Sequence, residues 1–207
     1  MIERDLAFFR ATRARTQGLV RCLEQEQFDY AAGAGRWSVG EVVDHMLRAE
    51  AFNRGDIARL IALAEAGERA YLRQTLEVVN ISIFAIPKPV FALFETPLNF
   101  FGRFLPAGAR EYATLSRLVK LKNPDNVTPR RCRRGDDLRR DLRTSFDETS
   151  ELLRSHPDLP YDEMIFDQPL LGTMNVPELV RWMALHEQRH QQQLCEVLTD
   201  SGFPARL

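Results

Sequence analysis

The sequence predicts an all-α fold, a four-helix bundle, on three observations. Four stretches carry apolar residues at helical spacing over several turns. Two of them open on capping sequences, Ser38-Val39-Gly40-Glu41 and Asn175-Val176-Pro177-Glu178. No stretch reads as a convincing strand, and no internal repeat is visible. The chain has 207 residues, 44% hydrophobic and 28% charged, which fits one domain over residues 1–207 with a sizeable core.

The first helix is expected over residues 3–29. Leu6, Phe9, Arg13 and Thr16, then Leu19, Cys22 and Leu23, recur at helical spacing with Arg and Glu between them. The small-residue loop AAGAGR, residues 31–36, ends it. The second helix starts at the Ser38 cap. Its hydroxyl can accept from the Glu41 amide while the Glu41 carboxylate reaches back, and Trp37 precedes as the apolar residue that packs on the first turn. This helix runs to about Glu68, with Val42, His45, Met46, Ala49 and Phe52 along one broad face.

Residues 77–110 hold six phenylalanines and four prolines. The prolines forbid one continuous helix. The stretch reads as an insertion of short helical pieces and apolar loop, packed on the bundle or acting as a lid, a dimer surface or an interfacial membrane contact. Tyr112–Leu121 is a further short helix. Residues 123–137 form a polar linker containing the run RRCRR. That run lacks interleaved aromatics for stacking on bases, and acids follow it, so it reads as a solvated loop entering a helix. The third long helix is expected over 136–155, with Leu138, Leu142, Phe146, Leu152 and Leu153 as its apolar positions. A Pro-punctuated loop, 156–174, leads to the last helix, 177–198. The connection between the second and third long helices is too long for a hairpin and allows a crossover.

The formal net charge of −1 gives no argument for nucleic acid or an anionic membrane. Three scattered cysteines do not make a disulfide framework and point to a reducing, cytoplasmic setting. The N-terminus lacks the apolar run of a signal peptide, and no stretch is long and apolar enough for a transmembrane span.

The last helix carries His186 and His190 four residues apart, so both rings project from one face. That face is otherwise core-like, with Leu179, Trp182, Gln193 and Val197 near the same line. Either the two imidazoles are satisfied by hydrogen bonds inside the bundle, or they hold a metal. His45, on the inner face of the second helix, can complete a three-histidine set that leaves a coordination position open. The fourth histidine, His156, sits in a loop beside Pro157. Glu187 lies about 100° of helical rotation from His186 and tends off that face. The spacing H-E-x-x-x-H is not the H-E-x-x-H of zinc proteases.

At these residues the chain resembles the DinB/YfiT-like four-helix bundles. Residues 37–46, WSVGEVVDHM, are similar to that family's second-helix signature, and residues 171–194 to its last-helix signature, HxxxH followed by Gln-Leu. The resemblance implies a bundle of that type with a divalent-metal site on His45, His186 and His190, zinc or nickel being the usual ions. It also implies a homodimer and a small-molecule substrate, with a low-molecular-weight thiol as cosubstrate in relatives that transfer sulfur. The expected chemistry is activation of a thiol or a water, for S-transfer or hydrolysis. The alternative is a non-catalytic bundle that binds a metal or ligand. Gln193, on the His190 face, is a candidate to bond a bound ligand or to orient its surroundings. Glu41 is a candidate partner or base one turn before His45, with its cap as the competing role. Asp44 and Glu50 are expected in solvent, and Cys195 as a small buried residue. The Phe/Pro-rich insertion departs from the family pattern.

Overall fold

The apolar periodicity is realised in five helices and a small sheet in the computed structural model, which describes residues 2–74, 127–168 and 172–205. The helices are α1, Ile2–Val20; α2, Gln25–Asp29; α3, Val39–Glu65; α4, Gly135–Arg154; and α5, Val176–Leu198. The four long ones are the expected bundle. The Phe/Pro-rich stretch 77–110, the short helix expected at 112–121 and the chain between α3 and α4 lie outside the described residues, apart from the linker from Val127 onward.

Both expected capping boxes form. Ser38 accepts from the Glu41 amide at 3.2 Å and Glu41 returns a bond to the Ser38 amide at 2.9 Å. Asn175 and Glu178 repeat this at the start of α5, at 2.9 and 3.0 Å, with Pro177 in the first turn. Each such cap is worth about 0.5–2 kcal/mol.

Two expectations need correction. The single helix over 3–29 is two helices, because the chain breaks after Val20 and Glu24 caps the short α2. The break buries Phe28 completely against the start of α4. An ideal Cβ on Gly135 would lie 2.5 Å from the Phe28 ring, so only glycine admits this approach. Gly35, at φ 72°, similarly permits the tight loop before α3.

The second correction concerns strands. Ile165–Gln168 (β2) pairs antiparallel with Gly172–Asn175 (β3) and parallel with Tyr71–Arg73 (β1), in the order β1-β2-β3. Phe166 and Met174 stand opposite one another and are buried under the bundle end, while their strand neighbours are half-exposed. Strands of three or four residues offer too few alternations to be seen against loop sequence.

The long helices are built from two apolar blocks. One core holds Leu6 and Phe9 of α1, Ile57 and Leu60 of α3, Phe146 and Leu153 of α4, and Leu179 and Met183 of α5. The other holds Val20, Val42 and Met46, Leu138 and Leu142, and Leu194 and Val197. Burial of each such side chain contributes about 1.5–3 kcal/mol. α3 and α4 run in the same sense: Gly40 lies against Leu138 at one end, and Glu65 faces His156 at the other. On each helix a polar stretch separates the two blocks, and these stretches meet in one buried layer.

Candidate metal centre

The polar layer brings His45 from α3 and His186 and His190 from α5 together. One ring nitrogen from each lies within 4.8 Å of the other two. The ring centroids are 4.6 to 5.3 Å apart. The capped start of α3 and the capped start of α5 fix the helical phase that makes these faces meet. Trp182 stacks on His186 at 5.1 Å, and Trp37 lies 4.9 Å from the His45 ring and 6.3 Å from His190. The indoles wall the cluster on two sides.

Hydrogen bonding assigns the nitrogens. His45 Nδ1 is 2.8 Å from the Val127 carbonyl, which only accepts, so Nδ1 carries the proton. Nε2 of His45 then holds a lone pair; it is buried and has no hydrogen-bond partner among the described residues. His190 Nδ1 donates to the Gln193 amide oxygen at 3.0 Å, which again turns a lone pair on Nε2 inward. That Nε2 lies 3.2 Å from Nε2 of His186. One proton shared between two imidazoles leaves the third nitrogen unanswered, whereas a cation answers all three. Such a set of imidazole nitrogens could hold a divalent ion.

Burial pushes the His45 pKa below its ordinary value, against the opposing pull of its Val127 bond and Asp44. His186 is pushed well below, first by burial and then by His190, His45 and Arg189. Both rings are neutral at neutral pH, the state a metal requires.

A small cavity of about 10 Å³ lies beside His186 between α1, α3 and α5. Phe9, Met46, Ala49, Trp182 and Met183 supply its apolar walls, and Asn53, Glu50 and Glu187 its polar ones. The two glutamates are not free. Arg13 donates to both Glu187 oxygens at 2.8 to 3.1 Å and to Glu50 at 2.6 Å. Its remaining nitrogen donates to the Leu142 carbonyl, while Thr16 and Thr149 donate to Glu187 and Glu50. Burial alone would lower the Arg13 pKa; the two carboxylates outweigh it and hold the guanidinium charged.

The fates of the other expected residues differ. Gln193 orients His190 as described. Glu41 is committed to the cap and to Arg131 at 3.2 Å, and is not drawn into the histidine cluster. Asp44 and Glu50, expected in solvent, are buried at 0% and 3% exposure, because cationic partners neutralise them. Glu187 is off the histidine face, as its helical phase requires, but buried. Cys195 is half-exposed rather than buried, and Cys22 and Cys132 are exposed; none of the three is in a disulfide. The RRCRR run is largely solvated, as expected: only Arg133 is half-buried, and it and the exposed Arg130 reach Asp44. His156 bonds the Leu152 carbonyl at a distance from the cluster. Among the described residues, no helix is long and apolar enough to cross a membrane.

Sequence reasoning missed the Val127 carbonyl and the Arg13–Glu50–Glu187 network. A signal for the second existed, since Arg13 occupies a core position in the Leu6–Phe9–Thr16 spacing. None existed for a backbone carbonyl.

Known proteins place this geometry in context. No curated protein sequence matches the chain at a significant level. The solved structure of YfiT from Bacillus subtilis, described as a probable metal-dependent hydrolase with an unusual four-helix bundle topology, superposes with a TM-score of 0.52. The match is 13% identical and covers 98% of this chain and 88% of that one, a likeness of fold. The family model of the DinB superfamily matches residues 9–194, nearly the whole bundle, and the chain belongs to that superfamily.

Proposed function

We propose that this protein is a divalent-metal-dependent enzyme of hydrolase type, with His45, His186 and His190 as the metal ligands. The observation that carries the reading is the unanswered lone pair of His45 Nε2, buried beside two further imidazoles whose inward nitrogens are 3.2 Å apart. A divalent ion held there would supply Lewis acidity that brings the pKa of a water or thiol toward neutrality; three imidazoles suit zinc, nickel, iron or copper, and zinc or nickel is what the family resemblance implies.

The chain's own residues do the rest. Val127 and Gln193 hold two of the rings in the tautomer that points a lone pair inward. Trp37 and Trp182 pack against the rings and stiffen them. Three protein ligands are the number found in catalytic sites that keep a position open for water. The cavity beside His186 has room for about one water. Water as the activated group agrees with the hydrolase description of YfiT. Cysteines outside disulfides suit a reducing compartment such as the cytoplasm.

The test is a hydrolysis panel of small esters, amides and lactones with zinc- or nickel-loaded protein. Turnover that disappears in His186→Ala, with the helical circular dichroism retained, is the expected result. A loaded, folded protein inert toward every member, and equally inert with thiol and electrophile pairs, would favour the non-catalytic bundle.

A further inference from the structure

Two consecutive side chains of α3 grip one short piece of backbone. His45 donates to the Val127 carbonyl at 2.8 Å, and Asp44 accepts from the Arg130 amide at 2.7 Å. Asp44 is completely buried. Its two oxygens also take the Arg130 guanidinium, at 2.8 and 3.3 Å, and the Arg133 guanidinium at 2.9 Å. Arg133 reaches on to Asp141 of α4 at 2.7 Å. Arg131 meets Glu41, one turn before His45, at 3.2 Å.

Electrostatics makes this a clamp rather than a chance contact. A buried carboxylate is costly unless neutralised and hydrogen-bonded. The Arg130 and Arg133 bonds supply that neutralisation. The partners all lie on the segment that supplies the Val127 carbonyl. Between Val127 and Arg130 stand only Thr128 and Pro129, and Pro129 limits the freedom of that stretch. The Asp44–Arg130 grip therefore fixes where the Val127 carbonyl sits. That carbonyl in turn decides which nitrogen of His45 is protonated and where its lone pair points.

We propose that Asp44 is a positioning residue for the histidine cluster, acting through Arg130 and the Val127 carbonyl to hold His45 with Nε2 directed inward. This rests on the reading of the cluster as a metal centre. It adds that one ligand is oriented by a salt-bridged loop, not by a side chain of the bundle.

The test compares wild type with Asp44→Asn, which keeps size and the amide contact but loses the charge that holds two guanidiniums. Zinc titration of metal-free protein by calorimetry is expected to show affinity about 10–100-fold weaker in D44N, the usual loss for an outer partner of a ligand. In the metal-free protein, the ¹⁵N shifts of His45 are expected to move from a single Nδ1-protonated tautomer toward a mixture. A merely structural role would lower the melting temperature and leave both readouts alone in the folded protein. Arg130→Gln, at a mostly exposed side chain, provides a milder variant should D44N fail to fold; a smaller shift in the same direction is expected. Wild-type binding with D44N or R130Q affinity within about twofold, and an unchanged His45 tautomer, overturns this inference alone. A wild type that takes up no zinc overturns the metal reading itself, and the link to affinity with it.

Discussion

Two polar clusters lie side by side in the same buried layer, and they are finished to different degrees. Arg13, Glu50 and Glu187 form a closed set: the three Arg13 nitrogens donate, and Thr16 and Thr149 donate to the two carboxylates. His45, His186 and His190 form an open set, with converging lone pairs and an orphaned His45 Nε2. Both are buried apart from the half-exposed His186, and adjacent residues of one helix, His186 and Glu187, serve one each. A buried polar group left unanswered is costly, so proteins rarely keep one without a use. The closed set accounts for itself as structure. The open set makes sense with a cation among its nitrogens.

The comparison breaks first at Arg13. Arg13→Met leaves two buried carboxylates without their counter-ion and is expected to destabilise the protein by about 3–5 kcal/mol, measured by denaturant unfolding. If the clusters are independent, metal stoichiometry in the folded variant is unchanged. Next in size, His186→Ala removes a proposed ligand. Zinc affinity should fall by more than the roughly 10–100-fold typical of outer partners, while metal-free stability changes little. The relief of a crowded, desolvated imidazole offsets part of the lost packing.

A pH titration separates the sets without mutation. His45 and His186 have folded pKa values below the unfolded value of about 6.5. Between those values the unfolded chain binds more protons, so stability rises with pH there and is lost as pH falls from about 6.5 through the folded values. Metal-free protein should show this slope in chemical melts at fixed temperature, and His45→Phe should flatten it. Bound metal should steepen the loss, since protons compete for the same nitrogens. The smallest effect is expected at Gln193. Gln193→Leu frees the His190 ring and should weaken zinc binding by about tenfold, with the fold unchanged.

Helices and histidines were legible in the sequence because both obey a short period. Ser38 and Glu41, and Asn175 and Glu178, mark helix starts to within a residue, and the phase from those starts puts His45, His186 and His190 inward. Charged residues misled where burial depends on a distant partner. Asp44 looks solvated until Arg130 and Arg133, far along the chain, are known to reach it. Glu50 looks solvated until Arg13 is seen as a core residue. The β2–β3 hairpin was illegible because four residues hold only two alternations. The Val127 carbonyl was illegible because every residue has one, and only tertiary structure says which will face a ring.

The central claim is that the open cluster is completed by a metal ion. Metal content of protein purified without a histidine tag, after dialysis against metal-free buffer, tests it most directly. About one equivalent of zinc or nickel per chain in the wild type, falling to background in His186→Ala, is the predicted result. Less than about a tenth of an equivalent, both as purified and after reconstitution with either ion, would contradict the account.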